Sequence, residues 1–466
     1  MHIDNPNTLA REAAYKIYYW HNEEQERLLT ELLLQRHHLA QLCGYKTFAH
    51  RATSESLAGS PENVDLFLSS LSRDIQPKLE ADYEAMLNLK RTSNPMARSL
   101  ELWDVPYYTI QAKRTWFDLD TVKISEYFSL GVCMEGLNTI YKSLFGVELV
   151  VETPEKGEVW HEHILKLSVR DLASGDELGH IFCDFFTRPG KPFQDCHFTI
   201  RGGRVRADGS YQNPIVVLML NLPSPSWTSP TCLTGGMMDN LFHEMGHAMH
   251  SMLARTRYQH VTGTRCSTDF AEVPSTLMEY FSTDPRMLHA ISRHYKTGES
   301  LPEEQCRQFC ASKKVFSGVD IQTQLYYSLM DQRYHGEHPL GCGTTELLAR
   351  AHRKHHSLPY HENVAWQHRF SHLVGYGARY YSYLMARSVA SLIWQRFFED
   401  DPLNSEAEQR YREECLSHGG GKPSQKLVSD CLGVNVTPEV LANALLSEVE
   451  SKQEAVTEMV KKGGYF

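Results

Sequence analysis

The segment Leu241-Phe242-His243-Glu244-Met245-Gly246-His247-Ala248-Met249-His250 constrains this chain more than any other stretch. On a helix, residues four apart leave the same face one turn apart, so His243 and His247 can reach one ion. Neutral ring nitrogens bind zinc at about 2.0–2.1 Å. Glu244 follows the first histidine and lies beside such an ion without capping it. A carboxylate there can take a proton from a water that the ion activates, so the pattern points to metal-assisted hydrolysis of a peptide bond. With 24 histidines in 466 residues, chance supplies about 0.1 such matches, and the surroundings must decide. Met237, Met238, Leu241, Phe242, Met245, Met249, Met252 and Leu253 recur at three- and four-residue steps, as in a buried helix. Gly246 weakens that helix by about 1 kcal/mol relative to Ala, while its small size lets another backbone come close. Two core histidines with no ion would leave Glu244 buried without a partner, which favours the metal site.

Such a site takes three protein ligands and keeps one position for water. Downstream, Thr268 to Phe281 reads as a second helix, with Pro274 in its first turn and an apolar stripe after it. Glu272 and Glu279 are seven apart and share a face; one can bind the ion while the other supports the ligands. Spacing does not choose between them. A third histidine of the kind that follows some zinc motifs is absent, because its expected glycine falls on His250 and its expected histidine on Leu253.

The pair His243–His247 followed by Phe270–Glu279 resembles the thimet oligopeptidase family of zinc metallopeptidases. The likeness covers nearly the whole chain. It includes Cys183-Asp184-Phe185-Phe186, Asp195 to Gly203, Tyr258 to Glu272 and His372 to Leu384. It implies His243, His247 and Glu272 as ligands of one zinc ion, Glu244 as general base and Glu279 as a support to the ligands. It also implies substrate and transition-state contacts from His372, Tyr376 and Tyr383. The stretch between His372 and the tyrosine pair is one residue shorter than in other members. By this likeness the substrates are peptides or precursor proteins, as for members that trim imported precursors in the mitochondrial matrix. Those members are made with a presequence. No transit-like segment opens this chain, which starts late relative to the family, as a shortened product would.

Glycine-flanked and tyrosine-rich, His372 to Tyr383 can aim phenols into a cleft, although aromatic packing is the plainer reading of any one tyrosine. Other clusters read as decoys. His161-Glu162-His163 has no third ligand nearby. His352, His355 and His356 sit among Arg353 and Lys354, as on an exposed helix face. Gly419-Gly420-Gly421-Lys422 lacks the earlier glycine of a phosphate loop, which would fall at Leu416.

A net charge of −10 argues against a nucleic-acid binder and against affinity for anionic membranes. The longest apolar run, near Ile215 to Leu220, is too short to span a bilayer. Eleven scattered cysteines suit a reducing compartment. From Thr8 to Lys90 the pattern is helical, with starts at Asn22 and Ser60-Pro61 and a break or bend at Pro77. Trp103 to Tyr108 reads as an extended aromatic link. Between Glu148 and Leu222 the period shortens into strands with turns at Ser174-Gly175-Asp176 and Ala207-Asp208-Gly209-Ser210. An edge of that sheet could pair with an extended peptide, or the sheet could simply pack under helices.

The expected fold is therefore mainly α: a helical zincin-type metallopeptidase region carrying a small, largely antiparallel β-sheet. It is read as one catalytic region, with a helical wall at 1–145, the sheet at 146–230 and a helical zinc-binding core at 231–466. A His₂Glu site also accepts manganese or cobalt. The chain is expected to act as a monomer. A general oligopeptidase and a non-catalytic binding fragment are the competing readings.

Overall fold

The helix starts written into the sequence are used as caps. Asn22 Oδ1 accepts the Gln25 N–H at 2.9 Å and Ser60 Oγ accepts the Asn63 N–H at 3.2 Å, each satisfying an amide that the helix cannot. The structure, a computed structural model, describes residues 4–404 and 410–462. Met1 and His2 lie outside them. The helices include, in chain order, α1 (Thr8–Tyr18), α2 (Glu23–Leu42), α3 (Pro61–Asp74), α4 (Gln76–Ser93), α5 (Asp104–Phe117) and α6 (Leu130–Phe145). After the sheet come α7 (Gly235–Leu253), α8 (Thr268–Thr283), α9 (Ser317–Tyr334), α10 (Thr344–His355) and α11 (Pro438–Lys462).

Contacts divide the chain into two units that are discontinuous in sequence: residues 1–119, 311–388 and 437–466 form the first, residues 120–310 and 389–436 the second. In the first unit α11 packs on α3, and α9 packs on α3 and α4. A cavity of about 210 Å³ is lined there by Tyr15, Trp103, Tyr326, Tyr327, His352 and His356, among others. Two expectations change in this unit. Trp103–Tyr108 is not extended, because α5 begins at Asp104. Pro106 falls in the first turn, where a missing N–H costs no helix bond. His352 is buried and stacks on His356 with ring centroids 4.4 Å apart, so that face of α10 looks inward while Arg353 and Lys354 stay in solvent.

The second unit holds the sheet, made of β1 (Val147–Glu152), β2 (Leu165–Asp171), β3 (Glu177–Phe186), β4 (Cys196–Arg201) and β7 (Ile215–Leu222), with a short hairpin of β5 (Arg204–Val205) and β6 (Tyr211–Gln212). Its order is β1-β2-β3-β7-β4, so β4 is an edge. The pairs are antiparallel except β3–β7, which is parallel with His180 opposite Ile215. The sheet is therefore mixed. The sequence Ile215-Val216-Val217-Leu218-Met219-Leu220 is apolar on both faces, which suits a slot between two strands rather than a half-wet edge. α7 packs against β3, β4 and β7, and α8 packs along α7.

Candidate metal centre

Twelve of the nineteen residues of α7 are buried, among them Met238, Leu241, Phe242, Met245 and Met249, which fix the helix's rotation. That rotation turns His243 and His247 to one side, with ring centroids 5.0 Å apart. α8 brings the carboxylates. It can lie close because residue 246 is glycine: a Cβ there would come within 2.7 Å of Pro274 O and of the Ser275 Cα. Pro274 itself sits inside α8 rather than in its first turn. Its missing N–H removes one helix bond just where the two helices cross.

Glu272 Oε2 stands 3.5 Å from His243 Nε2 and 3.3 Å from His247 Nε2. Two atoms bonded to one tetrahedral ion at about 2.0–2.1 Å stand about 3.3–3.4 Å apart. The three donor atoms all lie within 4.8 Å of one another. Glu279 Oε1 lies 2.6 Å from His243 Nδ1 and fixes the ring from behind, a common arrangement around metal-binding imidazoles. Ser275 Oγ donates to Glu272 Oε2 at 3.2 Å and steadies the carboxylate. Sequence reading missed Ser275, and helix spacing from Glu272 was the signal that could have found it.

The electrostatics favour a cation at the shared point. Burial opposes charge on His243, but the carboxylates of Glu272 and Glu279 hold its pKa up at about 10. Burial likewise opposes charge on Glu272, yet the two imidazoles keep its carboxyl well below the usual range. Glu244 is 7% exposed, and its Oε2 has no hydrogen-bond partner. Burial pushes its pKa up, His247 and His243 pull against that, and Glu272 and Asp195 add to the rise. The donor set fits a divalent ion: two imidazoles, one carboxylate, and a second carboxylate nearby that coordinates nothing.

Among the described residues, two other groups could converge on a metal. In the first unit, Glu26 accepts from the hydroxyls of Thr344 at 2.7 Å and Thr345 at 3.0 Å, and pairs with His368 at 3.0 Å. It also accepts the Thr344 N–H, so it caps α10 from outside, where Gly343 offers no side chain. In the second unit, Glu152 beside Glu177 and His180 is engaged by Arg170 at 3.0 Å. Both groups are committed to structure. His161 and His163 belong to neither.

The other predicted residues belong to the first unit. His372, Tyr376 and Tyr383 form one aromatic group: the two tyrosine rings stack 5.6 Å apart, and His372 stands edge-on to each at 6.0 and 5.9 Å. Their loop is held by Asp331, buried on α9, which accepts the N–H groups of Ala378 and Tyr380 at 2.9 Å each. A Cβ at Gly377 would lie 2.6 Å from Nε2 of the buried His335 ring, so the loop leaves little room for a side chain there. Nothing near Asp331 in the sequence signals this role, which depends on a partner 47 residues away.

Residues 1–446 match the sequence pattern of peptidase family M3. The chain is 51% identical over 450 residues to the mitochondrial intermediate peptidase of Homo sapiens and 50% identical over 449 residues to that of Mus musculus. These alignments cover 97% and 96% of this chain but 63% of each relative, so the chain spans less than two thirds of their length. Among solved structures, PZ peptidase A with an inhibitor superposes with a TM-score of 0.58 at 16% identity, over 97% of this chain and 70% of that one. This last likeness concerns the fold.

Proposed function

Because the chain belongs to peptidase family M3, we propose that it is a zinc metalloendopeptidase that removes a short amino-terminal peptide from mitochondrial precursor proteins in the matrix. One observation carries the chemistry: a single carboxylate oxygen, Glu272 Oε2, stands at ligand-to-ligand distance from the Nε2 atoms of both histidines. The substrate class and the compartment rest on the relatives' names. His243, His247 and Glu272 would hold the ion, and Glu279 would orient His243. Zinc suits a His₂Glu set best, although manganese and cobalt are accepted by the same donors. When bound, the ion polarises a peptide carbonyl and makes water a better nucleophile near neutral pH.

Glu244 takes the proton from the attacking water. Its burial and its unpartnered oxygen suit it to hold that proton and pass it to the leaving amine. The free edge of β4, beside α7, can take an extended peptide by backbone pairing. Tyr376 and Tyr383, with His372, are proposed from the family resemblance as donors to the developing oxyanion. A single such donor contributes about 2.7–4 kcal/mol.

The test is direct. Zinc-loaded chain is incubated with a precursor-like peptide and with a short generic peptide, with and without chelator, beside a Glu244→Gln variant. Cleavage of the precursor-like peptide, its loss with chelator, and a fall of roughly 10²–10⁴-fold in kcat for the variant are expected. No cleavage of either peptide despite bound metal would sink the proposal in favour of a binding role. Cleavage of the generic peptide alone would identify a general oligopeptidase.

A further inference from the structure

β4 packs on α7 in the second unit, and two side-chain contacts tie residues at the start of the strand to two points along the helix. At one end Asn240 Nδ2 donates to Asp195 Oδ2 at 2.8 Å. At the other, His197 Nε2 meets Ser251 Oγ at 3.1 Å, and the His197 ring lies 6.0 Å from that of His247. His243 and Glu244 fall between these two contacts along the helix. Asp195 immediately precedes β4 and is hydrogen-bonded to Asn240, one turn before His243 and Glu244, so it stands where a peptide on the free edge of β4 would meet the candidate metal centre.

Asp195 is built as a fixed charge. Its second oxygen accepts from Asn221 Nδ2 at 2.9 Å, so two neutral carboxamides, from β7 and α7, hold the carboxylate in one orientation. Among the described residues no lysine or arginine pairs with it. The nearby Arg188 and Lys191 are committed to Asp184, at 2.8 and 3.0 Å. The group is exposed, so an arriving side chain can reach it. A preorganised, unneutralised carboxylate gives a cationic ligand a partner without the ordering cost.

We propose that Asp195 is a specificity-determining residue that favours peptides carrying a lysine or arginine side chain beside the scissile bond. This rests on the peptidase reading and names a preference within it. The test uses zinc-loaded Glu244→Gln chain. It measures Kd for fluorescent peptides identical except for Lys, Gln or Glu at each position flanking the cleaved bond.

At one position the Lys peptide should bind roughly fivefold tighter than the Gln peptide. That ratio should fall to about one with Asp195→Asn or Asp195→Ser, and the Glu peptide should be preferred with Asp195→Lys. The ratio should also shrink at high salt. An unchanged ratio in all three variants, or no measurable binding of any peptide, overturns the proposal. Binding is read in a chain that lacks the general base, so the two readings fail separately. Charge-selective binding with no turnover by the native chain would sink the peptidase reading alone. Turnover without charge preference would sink only the role of Asp195.

Discussion

Glu272 and Glu279 share one face of α8, yet the structure gives them different contacts. One touches the outer nitrogen of both imidazoles, and the other touches the inner nitrogen of one. Removing a ligand should cost more metal affinity than removing the group that orients one. Glu279→Gln should weaken zinc binding by roughly 10–100-fold, and Glu272→Gln by clearly more, as read by competition with a fluorescent chelator. Equal losses would mean that the two carboxylates exchange roles. At this scale the sequence was legible where chemistry is local. The four-residue histidine spacing needs only a helix to place both rings. Which glutamate meets them depends on how far along α7 the second helix crosses, and seven-residue spacing is blind to that. Asp331 and Asp195 were silent as well, because their partners lie far along the chain.

That crossing belongs to the elements, and Gly246 sets it. An added methyl at 246 would press on the α8 backbone at two atoms. Gly246→Ala should therefore cost about 1–3 kcal/mol and, by pushing Glu272 away, weaken zinc binding beyond what the stability loss explains. Gly236, in the first turn of α7, has nothing within 4 Å of the same position. Gly236→Ala should leave metal affinity unchanged and gain up to about 1 kcal/mol. Urea unfolding of both variants, with and without zinc, checks the pair, and equal effects would refute the packing argument. Periodicity found these helices and the stretch that holds the strands of the sheet. It misread Trp103–Tyr108 and Pro274 for one reason: a proline's effect depends on whether its missing N–H would have had an acceptor. It did not place β7 between β3 and β4, where it runs parallel to β3, since local patterns do not encode which strands become neighbours.

Over the whole chain, the two units interleave sequence segments hundreds of residues apart, and no change of composition marks where one ends. Length alone allowed one unit or several, and the boundaries follow contacts that single-stretch reading does not see. The return of α11 onto α3 is the longest of these closures, and it carries a testable charge. Glu448 on α11 meets Arg387 Nη2 at 3.1 Å and also pairs with Lys452. Burial disfavours its charge, but Arg387 and Lys452 outweigh that and hold its pKa down at about 2, below the ordinary glutamate value. A carboxyl whose folded pKa is depressed stabilises the fold fully above its unfolded pKa, near 4.3, and loses that contribution as pH falls through the folded value. Glu448→Gln leaves Lys452 facing Arg387, with only Asp320, 3.2 Å from Arg387 Nη1, to offset them, at a cost of about 3 kcal/mol near neutrality. In urea unfolding the gap between native chain and variant should be full at pH 6–7, narrow steadily between about pH 4.5 and 2, and nearly close at the acid end. A gap that stays constant across that range would show that shape, rather than charge, makes Glu448 necessary to the closure.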